Sequence, residues 1–566
     1  MRSALIILLS LLSLRGASRL LPVPASMHMG EGRLALAGKL RIETEGAGDA
    51  RLDASAARLT ARVAKLIGGT SETLLRVHVD GDGDDEGYRL EVTQERAMLT
   101  SPGPLGAMHG LESFYQLIER NAAGWGIDSV TIEDHPRFAW RVLMIDVSRH
   151  FMPVDVILRN LDGMAAVKLN VFHWHLSDDQ GFRAESKRFP KLHQLGSDGD
   201  YYTQDQIRDV IQYARERGIR VVPEFGVPAH AASWLVGYPE LARGPGPFQI
   251  VRSWGGYHPS LDVDNPAVLK FLDGLFGEMA MLFPDQYFHV GGDEVAGQRA
   301  GLPAFYQQLH DTLAKHGKRM VGWDETAGPN LPADVVIQRW RRSPVQGHDQ
   351  IVSIVSVGYY LDQMEPAWKL YATDPGPGAN ILGGEACMWT EFVSAENIEG
   401  RIWPRTGAVA ERLWSAPSVR NVPDLYRRLA LLDAELDDLG LRHNRNYLAM
   451  LERLAGPTDF DAWKTLADVL EPGGLGLRRR VTPGSVQSTP LNRLVDVVRP
   501  DSAVARHFAA LTSKPEIRTW LQRWAAINVN HPASKELARR AQAALAGRKL
   551  SKQPGPVGDL QIAVRP

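Results

Sequence analysis

The chain has 566 residues, 44% hydrophobic and 23% charged. That is the make-up of an ordinary globular protein too long for one core, so roughly two to four domains are expected. Its 64 lysines and arginines nearly balance 66 aspartates and glutamates, which excludes a global field aimed at nucleic acid or a membrane surface. Cys387 is the only cysteine, which excludes an intramolecular disulfide and a multi-thiolate metal site. With no His-Glu-x-x-His run and no glycine-rich phosphate loop after a strand, no metal and no cofactor are expected.

Taken in chain order, Arg2 precedes the apolar run Ala4–Leu14. This reads as an export signal over residues 1–20, with a periplasmic or secreted destination. The run falls short of the roughly 20 residues a spanning helix needs, and no later segment is long and apolar enough to cross a membrane. Residues 22–134 read as a small α+β domain without a catalytic cluster. Strands are expected over Leu34–Ile42, Leu74–Val79 and Tyr88–Val92, helices over Ala54–Ile67 and Ala107–Glu119, and a Gly/Asp-rich turn at Asp80–Gly87.

From 135 to 420 the pattern becomes buried strand, loop and helix, repeated. Strands are expected at Val142–Val147, Leu169–Leu176, Arg220–Phe225, Tyr287–Val290, Arg319–Val321, Val335–Gln338, Ile351–Val355 and Ile381–Gly384. Helices such as Val154–Val167, Asp205–Arg217, Pro266–Phe283 and Ala304–His316 follow most of them. Eight short apolar strands alternating with helices predict an α/β fold of the (β/α)8 TIM-barrel type. An open doubly wound sheet would carry a glycine fingerprint that is absent. Residues 421–566 have helical spacing and breaks at Pro472–Gly476 and Pro483–Gly484. They read as a helical C-terminal extension packing on the barrel or on a second copy in a homodimer, and no chemistry is legible in them.

In such a barrel the site forms at the C-terminal ends of the strands. Polar residues collect there: Arg149 and His150 after the first strand, Asp178, Asp179 and Gln180 after the second, and Glu224 and His230 at the third. His289, Asp293 and Glu294 follow at the fourth, Trp323, Asp324 and Glu325 at the fifth, and Trp340 at the sixth. The seventh and eighth give Tyr360 and Asp362, then Glu385, Trp389 and Glu391. A single acid at a strand end is more often a helix cap or a loop salt bridge. Recurrence around the ring, interleaved with aromatic faces that stack on sugar C–H surfaces, points to a glycosidase.

Asp293 and Glu294 sharpen that reading. A retaining glycosidase commonly sets two carboxyl groups about 5 Å apart on opposite sides of the bond. Neighbours on an extended segment point in different directions, which suits a division of labour better. Glu294 would protonate the leaving oxygen as general acid. Asp293 would hold the N–H of a 2-acetamido group whose own carbonyl oxygen attacks C1 to give an oxazolinium ion. Glu294 would then activate water, with retention of configuration. The buried neighbouring carboxylate is expected to raise the Glu294 pKa and keep it protonated near neutral pH.

Five runs resemble glycoside hydrolase family 20, the β-N-acetylhexosaminidases: Trp140–Phe151, Asn170–Phe182, Phe283–Val295 with its His-x-Gly-Gly-Asp-Glu, Tyr360–Asp362 and Gly383–Phe392. Ile402–Ser415 resembles the family's segment after the eighth strand, and the N-terminal domain resembles the α+β domain that often precedes this barrel. The resemblance implies exo-acting removal of terminal N-acetylhexosamine from glycans or chitooligosaccharides. By position it implies that Asp293 orients the acetamido group, Glu294 is the acid/base and Tyr360 donates to the acetamide oxygen. It implies that Arg141 and Glu391, with Asp178 nearby, bind the outer hydroxyls, and that Asp362 adds a polar contact. Trp323, Trp340 and Trp389 would wall the acetamide pocket. The family usually reads Asp-x-Pro-Gly-His after strand three, whereas Gly226–His230 is Gly-Val-Pro-Ala-His; without that Asp, His230 is expected to be a weaker cation. Alternatives are a family member that releases a disaccharide or prefers a longer glycan, and an inactive sugar-binding homologue. A family 18 chitinase would carry an Asp-x-x-Asp-x-Asp-x-Glu run, which is absent.

Overall fold

The structure is a computed structural model that describes residues 18–255, 258–297, 300–328, 330–341, 343, 345–355, 358–457, 459–511, 514–546 and 557–563. Residues 1–17 of the expected export signal lie outside these. No described helix is long and apolar enough to cross a membrane. The chain forms two compact units that part between Pro136 and Arg137.

Among the described residues, the first unit is a seven-stranded sheet with two helices. Its strands are β1 (Ser26–Ala35), β2 (Gly38–Gly46), β3 (Ser71–Val79), β4 (Tyr88–Val92), β5 (Ala97–Ser101), β6 (Glu119–Asn121) and β7 (Gly124–Asp134). Their order is β1-β7-β4-β5-β3-β2, with β6 on β7. The helix Ala50–Ile67 begins at Asp49, whose side chain accepts from the Arg51 N–H, and it buries Leu52, Leu59 and Val63. The single strand expected over Leu34–Ile42 is in fact two. β1 runs antiparallel to β7 and β2 parallel to β3, so the chain turns inside a run whose apolar residues gave no sign of it. β5, β6 and β7 were not expected; β7 hides behind its two glycines.

The second unit is the barrel with its extension. β8 (Trp140–Asp146), β9 (Val171–Asp178), β11 (Arg220–Phe225), β12 (Tyr287–His289), β13 (Arg319–Trp323), β14 (Val336–Arg339), β15 (Gln350–Val352) and β16 (Ile381–Met388) are parallel, and β16 and β9 both pair with β8, closing the ring. The short β10 (Gly181–Phe182) folds back antiparallel on β9. All eight strands expected from the sequence are present, because each is a buried apolar run bounded by loops.

The period-two alternation of a strand stacks the barrel interior in layers. The lower layer is apolar: Val142, Val171, Val222, Tyr287, Val321, Val336 and Ile351 cluster there. Two residues further along the strands the inward positions become polar. Glu224 lies 3.1 Å from both His173 Nε2 and His289 Nδ1, accepts from Trp323 Nε1 at 2.9 Å, and bonds His175. These polar groups are nearly inaccessible to solvent. Burial alone would raise the Glu224 pKa, but His175 and His289 outweigh it and hold Glu224 well below the ordinary carboxylate range. The cleft opens above this layer.

The C-terminal extension packs on the barrel as part of the same unit. It has its own core around Leu451, Leu466, Trp524 and Leu537 and a small ribbon of β17 (Leu470–Pro472) with β18 (Leu560–Ile562). Its first helix, Val422–Leu439, is pinned to the last barrel helix by the fully buried pair Arg428–Glu411.

Candidate active site

A cleft of about 1080 Å³ lies at the C-terminal ends of the barrel strands, where the polar residues of the sequence were expected to meet. Asp178, His230, Asp293, Glu294, Trp340, Tyr360, Asp362, Trp389 and Glu391 all line it. A second cavity, about 200 Å³, lies between barrel and extension near Arg405 and Arg499. Arg405 is bonded to three backbone carbonyls there, which reads as packing.

The acidic pair sits on a turn only glycine allows. Gly291 and Gly292 have φ of 70° and 97°, and a Cβ on Gly292 would come within 2.2 Å of Thr326 Cγ2. Glu294 itself is left-handed at φ 51°. The pair lies beyond the end of the strand Tyr287–His289, so strand alternation does not set the directions of its side chains. Asp293 is 20% exposed and Glu294 62%.

His230 stands between them, with Nε2 3.6 Å from Asp293 Oδ2 and 3.6 Å from Glu294 Oε2, while its Nδ1 meets Asp178 Oδ1 at 3.2 Å. Burial would lower its pKa, but Asp178 and Asp293 outweigh this and raise it well above the histidine range. Asp178 supplies His230 with a carboxylate contact even though residue 226 is glycine. A Cβ at Gly226 would rest 3.6 Å from His230 Cβ, an ordinary contact, so sterics do not demand glycine there.

The expected charge states of the pair are reversed in the free site. Burial, aided by Glu224, Glu325 and Glu294, pushes Asp293 up to about 7. The cationic His230, 3.6 Å away, outweighs burial at the exposed Glu294 and lowers its pKa. The sequence reading missed this because the cation beside Glu294 counts for more than its acidic neighbour.

Arg141 is the other correction. It lies at the start of β8, the opposite end of the barrel, with Nε donating to the Lys168 carbonyl at 2.8 Å and Nη1 to the Phe138 carbonyl at 2.9 Å. Arg149, eight residues along, lines the cleft instead. It pairs with Asp178 Oδ2 at 2.7 Å and lies 4.9 Å from the Trp389 ring. Burial opposes the Asp178 charge, but Arg149 and His230 hold that carboxyl well below its ordinary range.

The aromatic residues divide as well. Trp340 and Trp389 line the cleft, with Trp340 Nε1 donating to Glu325 Oε2 at 2.9 Å. Trp323 is 1% exposed and lies beneath them, 6.0 Å from the Trp389 ring; it supports the floor and is not one of the lining walls. Tyr360 bridges to Cys387 in backbone register. Burial keeps its hydroxyl well above the usual pKa, so it stays a neutral donor. Asp362 Oδ1 and Glu391 Oε2 are buried and meet no hydrogen-bond partner on another described residue, as acceptors reserved for a ligand would be. Burial and the Glu391 charge push Asp362 up to about 8. Asp179, His258 (Nδ1 2.6 Å from Asp179 Oδ2) and Glu325 also reach the cleft. Asp179 and Glu325 were visible at strand ends, while His258 lies mid-loop with no motif.

Residues 138–301 and 298–417 match the glycosyl hydrolase family 20 catalytic domain, and residues 17–135 match that family's domain 2. The chain belongs to glycoside hydrolase family 20. Over 405 residues this hydrolase is 38% identical to the Bos taurus beta-hexosaminidase subunit alpha, covering 62% of this chain and 75% of that one. Over 443 residues it is 32% identical to a Porphyromonas gingivalis beta-hexosaminidase, covering 67% and 57%. The solved chitobiase of Flavobacterium johnsoniae matches with a TM-score of 0.89 at 32% identity, covering 96% of this chain and 98% of that one. The family 20 β-N-acetylhexosaminidase of Streptomyces coelicolor gives 0.68 at 28% identity, covering 75% and 96%. In this family 20 chain the acidic pair, Tyr360 and the half-buried Trp340 and Trp389 meet in one cleft.

Proposed function

We propose that this family 20 hydrolase is an exo-acting β-N-acetylhexosaminidase that removes terminal non-reducing N-acetylhexosamine by a substrate-assisted, retaining mechanism. The observation that carries the reading is the splitting of the pair. Both line the cleft, but Glu294 is 62% exposed and Asp293 only 20%; Asp293 shares that cleft with Tyr360, Trp340 and Trp389, where an acetamido group would be enclosed. Asp293 then holds the amide N–H and Tyr360 donates to the acetamide oxygen that attacks C1. Glu294 protonates the departing oxygen and later takes a proton from the water that opens the oxazolinium. Export, supported by Arg2 and the apolar run Ala4–Leu14, belongs to the same reading.

A panel of aryl β-glycosides with and without the 2-acetamido group tests the mechanism. Because the internal nucleophile is preorganised, the N-acetylglucosaminide should turn over at least ~10³-fold faster than the plain glucoside. Comparable rates on the two would sink the proposal.

His230 sets where the pair titrates. Its cation lowers both Asp293 and Glu294, so His230→Asn should let both pKa values rise. Both limbs of the kcat/KM–pH profile then move to higher pH, by roughly one unit. A downward or absent shift in a folded variant would show that His230 does not control the pair.

A further inference from the structure

Glu391 divides its two oxygens. Oε1 accepts from Arg479 Nη2 at 3.2 Å, whereas Oε2 is buried and finds no partner on another described residue. Arg479 does not come from the barrel. It lies on the helix Leu475–Val481 of the C-terminal extension, beyond the end of the catalytic-domain match at 417.

That segment is fastened at the cleft. Arg478 is 2% exposed; its Nη2 donates to Asp496 Oδ1 at 2.8 Å, and its guanidinium lies 4.6 Å from the ring of Phe392, the chain neighbour of Glu391. Further along, Gln487 Nε2 donates to the carbonyls of Arg149 and Gln180 at 3.0 and 3.1 Å, and its own carbonyl meets His150 Nε2 at 3.0 Å. The extension therefore grips both sides of the corner where Arg149 and Glu391 stand. Arg479 fills a defined place in it, with Nη1 against Gly255, where a Cβ would come within 3.2 Å.

An ion pair on a protein rim is usually worth little. This one is asymmetric: the Glu391 side chain is 9% exposed and that of Arg479 is 39%. The arginine can hydrate, but the carboxylate depends on its donors, and a donor on one oxygen fixes which way the other faces.

We infer that Arg479 is a positioning residue for sugar recognition: it holds Glu391 so that Oε2 faces the cleft as acceptor for an outer hydroxyl, C4 or C6, of the terminal sugar. This rests on the reading of the cleft as an N-acetylhexosamine site. The C-terminal extension thereby becomes part of the active site, where the sequence showed no chemistry in it.

The test uses the full-length enzyme with an aryl N-acetylglucosaminide and its 4-deoxy and 6-deoxy analogues. Arg479→Ala should raise KM about tenfold on the parent compound with kcat within about twofold, and Arg479→Lys should recover most of the loss. On the analogue lacking the hydroxyl that Glu391 binds, wild type and Arg479→Ala should differ little, since the contact is already gone. An unchanged KM, or an equal loss on all three substrates, overturns the inference. If Arg479→Ala fails to fold by circular dichroism, Arg479→Gln and Arg479→Lys decide: Gln should resemble the loss and Lys the wild type, and equal behaviour of the two overturns it. A wild type that does not cleave the N-acetylglucosaminide would instead refute the proposed function.

Discussion

Glu294→Gln should lower kcat/KM on an alkyl N-acetylglucosaminide by about 10²–10⁴-fold, the usual contribution of a general acid. Glutamine keeps the size and the left-handed position of Glu294 but cannot supply a proton. The loss should shrink steeply on a dinitrophenyl glycoside, whose leaving oxygen needs no acid. Equal losses on both leaving groups would mean that Glu294 serves some other step. The pKa balance adds a second signature. In the free enzyme His230 holds Glu294 low, yet the reaction needs it protonated, so a bound sugar has to displace water from this exposed side chain and raise its pKa. The limb governed by Glu294 should therefore lie at higher pH in kcat, which reports the complex, than in kcat/KM, which reports the free enzyme.

Asp293→Asn should reduce kcat by about 10²–10³-fold, a loss like that of other single groups aimed at charge developing in a transition state. The carboxylate lies where positive charge gathers on the acetamido group as the oxazolinium forms, and a neutral amide cannot offset that charge. Because Asp293 rises to about 7 in the free site, it is ionised above that pH and protonated below it, so the deficit of the Asn variant in kcat/KM should be largest in alkaline buffer and shrink as pH falls. A variant that raises KM with kcat unchanged would mean that Asp293 merely tethers the ground state.

How much of this was legible in the sequence follows from range. The eight barrel strands were visible because each is a short apolar run whose pattern is local. The adjacency of Asp293 and Glu294 alone was enough to argue for two roles. Arg141 lies at the start of β8 and Arg149 just past its end, so they occupy opposite ends of the barrel; the polarity of the strands selects Arg149, and the resemblance read eight residues too early did not. The charge states were out of reach because they turn on His230 lying 3.6 Å from both carboxylates, a distance set by a loop. The split of Leu34–Ile42 into β1 and β2 was hidden because opposite pairing directions leave no mark on apolar spacing. Arg479 meets Glu391 across 88 residues of chain, and nothing near Arg479 distinguishes it from its neighbours Arg478 and Arg480.

The grip of residues 478–487 on the cleft corner bears on how relatives of this chain should be compared. The match to the family's catalytic domain stops at residue 417, so the edge of that domain and the edge of the catalytic apparatus fall at different places. Two barrels with matching acid pairs can differ in what they accept at the far sugar hydroxyls if their tails differ. A ranking of substrates inherited from barrel identity alone would then mislead, and the tail is the segment to align first when preferences diverge.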